Sequence, residues 1–294
     1  MTSTEVTQSV EVTEDDIVWS RVGELELRAH IYRPASIGAA GTTAPSVLVE
    51  VHGGAWNTGD RMNSAYANRG IAGGGTTVVA IDFRQGPQFQ HPTGSADAVG
   101  AVRWVRSRPE LWGGAPRSVG LIGSSSGGHL ALLAATTPDA PEHRGSASIG
   151  VDGSFRARDE VDGSVDYVIG LYPVSDPHVR YRYAKRARLE SLVERSEAYF
   201  GSEETMRAAS VPRIVVAGEA TRLPPALIVQ PGEDANVPVE MTFELLRAWQ
   251  GRAGYIEYAH FPGLPHGFTS SASAETDAAV RLVRAFIARH DGRG

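Results

Sequence analysis

Cysteine is absent from the 294-residue sequence, and this absence removes several classes of chemistry. Without cysteine the chain has no disulfide, no thiolate nucleophile and no cysteine ligand for a metal. Long apolar runs are missing as well, since no segment reaches the roughly 18 apolar residues of a membrane helix. Residues 1–16 are acidic and polar and do not resemble a secretory leader. These features favour a cytoplasmic protein.

An excess of positive charge is also missing from the chain. Twenty-eight Lys and Arg residues face 34 Asp and Glu residues, which gives a formal net charge of -6. No broad basic surface is therefore available for nucleic acid. We expect the partner to be a small molecule rather than nucleic acid or membrane, and a homodimer through an edge strand or the last helix fits the pattern.

Apolar runs that alternate with helical periodicity indicate the fold class. Ile17–Val22 and Leu25–Tyr32 read as an antiparallel hairpin, and Ser46–Val51 reads as a strand buried on both faces. Later strands alternate with amphipathic helices, which predicts an α/β fold with a mostly parallel sheet covered on both sides. Without repeats or a linker, we expect a flexible tail over residues 1–14 and one domain over 15–294.

Two segments do not fit the alternation of strands and helices. Residues 139–163 show no clear period, and we interpret them as an irregular excursion. Residues 178–212 hold many charges and several aromatics, which is typical of a helical lid inserted over a sheet. The basic residues from Arg180 to Arg188 are interpreted as a solvated helix face rather than an anion site.

The stretch from Val119 to Leu133 organises the rest of the chain. It combines an apolar strand, a tight turn that fits Gly-x-Ser-x-Gly, and an apolar helix. Gly123, Ser125 and Gly127 occupy the fixed positions of the pattern. A serine in such a turn is exposed at the top of a sheet, and the glycines allow the strand and the helix to approach closely. This context favours a nucleophile at Ser125.

A second glycine-rich loop follows the buried strand at 46–51. It reads His52-Gly53-Gly54-Ala55-Trp56, and adjacent glycines let backbone N–H groups approach an oxyanion. His52 is interpreted as an anchor of this loop by hydrogen bonds rather than as a base. Trp56 is equally compatible with a wall of the acyl pocket and with simple packing.

A serine hydroxyl needs a base, and that base needs an orienting carboxylate. His266 follows the last predicted strand and has the strongest claim to be the base. For the acid, Asp234 is favoured over the adjacent Glu233, with Asp176 as a third candidate. In an open parallel sheet, loops after the carboxyl ends of strands converge, so these residues are expected to meet Ser125.

The remaining polar candidates carry weaker expectations. His129 lies one turn into the helix after the serine and points along it. His178 lies near the predicted lid, His260 inside a strand and His290 at the terminus. Asp82 ends a strand, and capping or loop bracing is its expected role.

Taken in order, these motifs resemble the α/β-hydrolases of the esterase/lipase group. The resemblance spans about residues 46–290 and is carried by His52–Trp56 with Gly59-Asp60, Ala80–Arg84, Ala101–Val105, Gly123–Leu130, Asp234 with Val237-Pro238, and His266–Phe268. The group includes hormone-sensitive lipase and bacterial feruloyl or acetyl esterases. The His-Gly-Gly-x-Trp loop is also similar to that of kynurenine formamidases.

The resemblance implies the following roles. Ser125 is the nucleophile, Asp234 the acid and His266 the base. The oxyanion hole is formed by the N–H groups of Gly53, Gly54 and Ser126, and Trp56 and Phe268 are the substrate-binding residues.

The implied enzyme is a carboxylesterase that cleaves a small short-chain or aryl ester through an acyl-enzyme, without metal or cofactor. An arylformamidase and a catalytically silent binding protein are the alternatives. The sequence departs from the family pattern at Ile81–Pro87, at Pro231 and in the length of 139–163. The first two departures leave the triad intact, whereas the third suggests a non-standard substrate pocket.

Overall fold

An eight-stranded sheet forms the centre of the structure, which is a computed structural model that describes residues 10–35, 45–144, 147–149, 155–157 and 160–292. Two of these ranges, 147–149 and 155–157, are described as backbone alone. The sheet has the order β1-β2-β4-β3-β5-β8-β9-β10. Its strands are β1 (Val12–Val22), β2 (Leu25–Pro34), β3 (Ser46–Val51), β4 (Thr76–Ile81), β5 (Ser118–Ser124), β8 (Tyr167–Leu171), β9 (Ala226–Glu233) and β10 (Ile256–Pro265).

The first two strands form the predicted hairpin, and the rest of the sheet is mostly parallel. Val22 pairs with Leu25 across the turn, and β2 then pairs antiparallel with β4. In this sheet, the pairings β4–β3, β3–β5, β5–β8, β8–β9 and β9–β10 are all parallel. The predicted α/β class with a mostly parallel sheet is therefore confirmed.

Helices cover both faces of the sheet, as predicted. They are α1 (Ala65–Ala72), α2 (Thr93–Arg106), α3 (Ser126–Thr136), α4 (Pro177–Ala187), α5 (Glu190–Phe200), α6 (Glu203–Ala208), α7 (Val211–Ala217), α8 (Val239–Gly251) and α9 (Ala274–His290). Four of them, α4 to α7, lie between β8 and β9 and include the segment predicted as a lid. None of the described helices combines the length and the apolarity needed to cross a bilayer.

The alternation of side chains along the strands explains how two hydrophobic clusters arise. All six residues of β3 are buried. Val47 and Val49 pack in the cluster shared with α2, α3 and α8, whereas Leu48 packs in the cluster shared with α1 and α9. Successive strand residues point to opposite faces, so a continuous apolar run is needed where both faces are covered.

Two predicted boundaries need correction. The tail predicted over residues 1–14 overlaps β1, which begins at Val12 because its residues pair with β2; residues 1–9 lie outside the described part. The segment 139–163, predicted as irregular, contains two short antiparallel strands, β6 (Ala147–Ile149) and β7 (Phe155–Ala157). Its residues 145–146, 150–154 and 158–159 also lie outside the described part.

The parallel arrangement brings four loops to one edge of the sheet. His52 directly follows β3, Ser125 follows β5, Asp234 follows β9 and His266 follows β10. Because neighbouring parallel strands end at the same side, residues far apart in sequence meet there.

Candidate active site

Ser125 stands between β5 and α3 in a conformation that few residues adopt. Its φ of 53° and ψ of -118° lie outside the regions that L-residues favour. Such strain costs on the order of 1–3 kcal/mol and persists where the surrounding structure imposes it. Here the Ser125 N–H donates to Leu171 O at 2.9 Å, and its carbonyl accepts from the N–H of Val174 at 3.0 Å. The hydroxyl is thereby held at the start of α3, over the end of the sheet.

The two glycines of the turn are required by close approach. A Cβ on Gly123 would lie 2.3 Å from Gly127 O, and a Cβ on Gly127 would lie 2.0 Å from Val51 O. Real Cβ atoms do not approach oxygens so closely. The sequence pattern around Ser125 thus follows from the packing of α3 against β3 and β5.

His266 and Asp234 complete a chain of hydrogen bonds from Ser125. His266 Nε2 lies 2.9 Å from Ser125 Oγ, and its Nδ1 lies 2.8 Å from Asp234 Oδ2. The Asp234 side chain is 2% exposed, and that of His266 is 16% exposed. Asp234 Oδ1 accepts the backbone N–H groups of Asn236 and Val237, both at 2.8 Å, which orients the carboxylate toward the imidazole. The structure therefore brings all three predicted triad residues together.

The two competing acids lie elsewhere. Glu233 is the last residue of β9, and its side chain is exposed to solvent. Asp176 caps α4 by accepting the Val179 N–H at 2.9 Å, and it also accepts the Ser210 hydroxyl at 2.7 Å. Of the three candidate acids, only Asp234 contacts His266 in the described part of the chain.

The loop after β3 lies beside Ser125. A Cβ on Gly53 would be 3.4 Å from Ser125 Cβ, so the backbone passes close to the serine. Gly54 has a φ of 126°, and its carbonyl accepts the N–H groups of Asn57 and Thr58 in a tight turn. The N–H groups of Gly53, Gly54 and Ser126 donate to no atom of the described residues. An oxyanion hole requires backbone donors near the nucleophile, and the assignment of these three N–H groups to one stays a prediction.

His52 contacts the loop rather than the serine. Its Nδ1 lies 2.7 Å from Gly53 O, and its ring stacks on Phe83 at 4.5 Å. Burial lowers the pKa of His52, which keeps the imidazole neutral. Asp82 braces the neighbouring segment, because its carboxylate accepts the Arg61 N–H at 3.0 Å and an Arg61 guanidinium N–H at 2.9 Å.

Within the described part of the chain, the side chains of the other histidines form no hydrogen bond with Ser125. His129 is buried, accepts the Trp56 indole N–H through Nδ1, and donates from Nε2 to Ala209 O at 2.9 Å. Burial lowers its pKa to about 4, so it is a neutral bridge inside the protein. His178 pairs with Glu203 at 3.0 Å, His260 is exposed on β10, and His290 packs on Phe286 near the C-terminus.

A cavity of about 370 Å³ opens at the Ser125–His266 pair. Gly53, Gly54 and Tyr172 form the wall close to the serine, and Asn63 and Asn236 add polar groups. The Tyr172 ring lies edge-on to His266 at 4.9 Å, and burial raises the pKa of Tyr172 to about 12. Sequence reasoning missed these side chains because they belong to loops without a motif.

The two predicted substrate-binding aromatics do not line this cavity. Trp56 is fully buried, stacked on Tyr199 at 5.7 Å and bonded to His129, which favours the packing alternative. Its substrate-binding role stays a prediction that the cavity lining does not support. Phe268 packs on Phe261 at 5.0 Å and is absent from the cavity wall. Its substrate-binding role stays a prediction.

The inserted helices supply the outer wall of the cavity. Arg180 of α4 and Leu192 and Arg195 of α5 line it, whereas no described residue of 139–163 does. The idea that 139–163 shapes the pocket is therefore not supported by the described residues. Arg180 is also 2% exposed, which contradicts the predicted solvated face at that position. Helical spacing alone did not reveal which face of α4 turns inward.

Within the described ranges, no group of three or more His, Asp or Glu side chains is placed to hold a metal ion. The chemistry that the site can perform rests on its hydroxyl, imidazole, carboxylate and backbone N–H groups.

The chain is similar to one family model and to several proteins that are named as esterases. The BD-FAE family model matches residues 30–249. Esterase LipC of Mycobacterium tuberculosis is 30% identical over 84% of this chain and 59% of its own length. The probable carboxylic ester hydrolase LipM of the same organism is 29% identical over 88% of this chain and 57% of its own. The chain thus spans somewhat more than half the length of these relatives.

Solved structures show the same fold. Esterase Est2 of Thermogutta terrifontis superposes with a TM-score of 0.73 at 24% identity, over 98% of this chain and 94% of its own. A structure of this esterase phosphorylated by paraoxon superposes equally well, at 22% identity over 95% of both chains. The esterase of Pyrobaculum calidifontis gives 0.70 at 23% identity, over 94% of this chain and 85% of its own. The α/β-hydrolase fold expected from the sequence is therefore confirmed.

Proposed function

The chain belongs to the BD-FAE family, and we propose that it is a serine carboxylesterase that cleaves a small carboxylic ester through an acyl-enzyme. The observation that supports this most directly is the unbroken hydrogen-bond chain from Ser125 Oγ through His266 to Asp234. The names of LipC and LipM point to the same reaction class. We further propose Ser125 as nucleophile, His266 as base and Asp234 as the residue that orients the base.

In the first half-reaction His266 Nε2 takes the proton of Ser125 Oγ while Oγ attacks the ester carbonyl carbon. The carbonyl π electrons move to oxygen, and the tetrahedral intermediate carries an oxyanion. Collapse of this intermediate breaks the bond to the alcohol oxygen, which receives the proton from His266. Asp234 holds Nδ1–H throughout and stabilises the imidazolium that forms transiently.

In the second half-reaction a water molecule takes the place of the alcohol. His266 accepts one proton from the water as its oxygen attacks the acyl carbon. Return of that proton to Ser125 Oγ releases the carboxylic acid and restores the enzyme. In both halves the N–H groups of Gly53, Gly54 and Ser126 are proposed to bind the oxyanion, a contribution worth roughly 100- to 1000-fold in rate per donor.

The decisive variant is Ser125→Ala, which removes the nucleophile and leaves the surrounding backbone unchanged. We expect kcat/KM on 4-nitrophenyl acetate and butyrate to fall by about 10⁴-fold or more. Ser271→Ala is the matched control, because Ser271 is an exposed serine in the loop before α9. Equal activity of wild type and Ser125→Ala on a substrate that wild type cleaves well would refute the assignment.

Covalent labelling provides a second readout that does not depend on the choice of ester. Paraoxon is expected to add one diethyl phosphoryl group to wild type, located by mass spectrometry on the peptide that contains Ser125. The Ser125→Ala protein is expected to remain unlabelled. Labelling of another residue at the same rate in both proteins would show that the serine is not activated.

The substrate panel separates the alternatives. Octanoate and feruloyl esters test chain length and aryl acyl groups, and N-formylkynurenine tests the arylformamidase alternative. A clear preference for N-formylkynurenine would replace the esterase proposal, and a labelled but inactive protein would direct the search to other esters.

The predicted homodimer and cytoplasmic location stay predictions, to be tested by light scattering and by fractionation of the source cells.

A further inference from the structure

Two arginines of the inserted helices belong to the wall of the cavity at the candidate site. Arg180 of α4 and Arg195 of α5 line the same cavity as Ser125 and His266. The cavity wall contains no Asp or Glu among the described residues. Two positive charges therefore lie at a site where the proposed esterase reaction by itself requires none.

Arg180 is buried without a carboxylate. Its side chain is 2% exposed, one guanidinium N–H donates to Ser196 Oγ at 3.0 Å, and the guanidinium carbon lies 5.0 Å from the Trp56 ring centroid. Its Nε has no hydrogen-bond partner in the described part of the chain. A buried guanidinium that has no carboxylate partner, on a residue that lines a cavity, is suited to bind an anion.

Two other arginines, the half-buried Arg84 and the buried Arg103, bond to carboxylate or carbonyl oxygens, although the Nε atoms of the half-buried Arg106 and Arg284 also lack a partner among the described residues. Arg84 pairs with Asp97 through several hydrogen bonds of 2.7–3.1 Å. Arg103 donates to three backbone carbonyls between 2.7 and 3.3 Å. Arg180 differs from both because its surroundings supply one hydroxyl and one aromatic face. The guanidinium of Arg180 is therefore less completely bonded than those of Arg84 and Arg103.

Arg195 adds a second positive charge to the same wall. It is half-buried and donates to Thr58 Oγ1 at 3.1 Å, and it forms no ion pair with a described residue. Burial, and then repulsion from Arg195, lower the pKa of Arg180 to about 10, so Arg180 remains charged at neutral pH. Two cations held close together without a counter-charge gain stability when an anion binds between them.

We propose that Arg180 and Arg195 form a carboxylate-binding subsite, so that the preferred substrate is a small ester that carries its own carboxylate. The proposal rests on the proposed esterase function and specifies its substrate class. The carboxylate belongs either to the acyl part, as in a half-ester of a dicarboxylic acid, or to the alcohol part. The chemistry recognised is the same in both cases, and the substrates below separate them.

The first experiment compares matched pairs of esters with wild-type protein. For the acyl side, monoethyl glutarate is compared with ethyl 5-methylhexanoate, in which an isopropyl group replaces the carboxylate, by titration of released acid. For the alcohol side, 4-acetoxybenzoate is compared with 4-acetoxybenzamide. We expect kcat/KM to favour the anionic member of one pair by roughly 10- to 100-fold, the range of a charge-assisted hydrogen bond. Equal kcat/KM within both pairs would overturn the proposal.

The second experiment tests the arginines themselves. Arg195→Met and Arg180→Lys are expected to lower kcat/KM for the preferred anionic ester by roughly tenfold or more, while kcat/KM for its neutral partner changes less than twofold. Arg186→Met, at an exposed position of α4, is the control and is expected to change neither. An equal loss on both esters in both variants would assign the arginines a structural role and contradict the subsite.

Binding to Ser125→Ala separates failure of the subsite from failure of the esterase assignment. Glutarate is expected to bind this protein in calorimetry and to lose affinity roughly tenfold or more when Arg195→Met is added. If glutarate binding needs the arginines but the wild-type protein hydrolyses no ester, the subsite is retained and the esterase is rejected. Ser125-dependent hydrolysis of neutral esters without glutarate binding would retain the esterase and reject the subsite.

Discussion

Glu50 is a buried acid in the middle of β3. Its replacement by glutamine is predicted to change how the free energy of unfolding depends on pH, and this prediction is independent of catalysis. Its side chain is 2% exposed, and burial raises the pKa of the carboxyl from 4.5 to about 7. Hydrogen bonds with Ser64 and Asn68 offset only part of this effect. Its Oε2 has no partner in the described part of the chain. The folded protein therefore favours the neutral acid.

The sign of the pH effect follows from the raised pKa. Below pH 4.5 both the folded and the unfolded chain carry protonated Glu50, and the group makes no titration-dependent contribution. Between pH 4.5 and 7 the unfolded chain releases the proton while the folded chain retains it, so the free energy of unfolding falls. A pKa difference of about 2.5 corresponds to about 3 kcal/mol at 1.36 kcal/mol per pKa unit. Above about pH 7 this loss is complete.

Glu50→Gln keeps the size and the hydrogen-bonding capacity of the side chain and removes its titration. The free energy of unfolding is measured by urea unfolding at pH 5 and at pH 8. The difference between Glu50→Gln and wild type should shift by about 2–3 kcal/mol in favour of the variant from pH 5 to pH 8. Glu24→Gln, in the exposed turn between β1 and β2, is the control and should show no such gain. A difference between Glu50→Gln and wild type that does not change with pH would refute the reasoning.

Two further predictions concern the candidate site. Asp234→Asn should lower kcat/KM on 4-nitrophenyl acetate by about 10⁴-fold with little change in Tm, because an amide favours the wrong tautomer of His266. Glu233→Gln is its control and should retain activity, so an equal loss in both variants would contradict the choice of acid. Gly54→Ala should lower kcat on the same ester by at least about 100-fold, because a φ of 126° excludes a Cβ and distorts the donor loop. Gly23→Ala, also at positive φ but in open space, should leave kcat unchanged, and wild-type kcat in Gly54→Ala would argue against this loop as the oxyanion hole.

Local rules explain why much of the fold was accessible from the sequence. A strand buried on both faces is mostly apolar, and β3 follows this rule apart from Ser46 and Glu50, with all six residues buried. The hairpin of β1 and β2 was visible because its turn separates two alternating runs. The N-terminal boundary was missed because β1 begins with a polar stretch from Thr13 to Asp16. Its pairing with β2 decides the structure there, and such pairing is not local information.

The position of the candidate triad was accessible for a related reason. Ser125, Asp234 and His266 each follow directly after a strand that the pattern had identified, and parallel strands end at one edge of the sheet. The glycines beside Ser125 are required because a Cβ at either position would lie only about 2 Å from a backbone oxygen. A constraint of this kind leaves a short and recognisable motif.

By itself, therefore, the sequence determined the elements, the class of the fold and the residues that follow each strand, since these depend on periodicity and on backbone space. Only the tertiary structure decided that Trp56 turns into the core against Tyr199, and that Arg180 turns from a charged helix toward the cavity. The orientation of α4 is determined by its packing against α5, which lies outside the helix's own pattern. For the same reason, the positive charge of the pocket depends on how the inserted helices pack over the sheet, which their sequence does not specify.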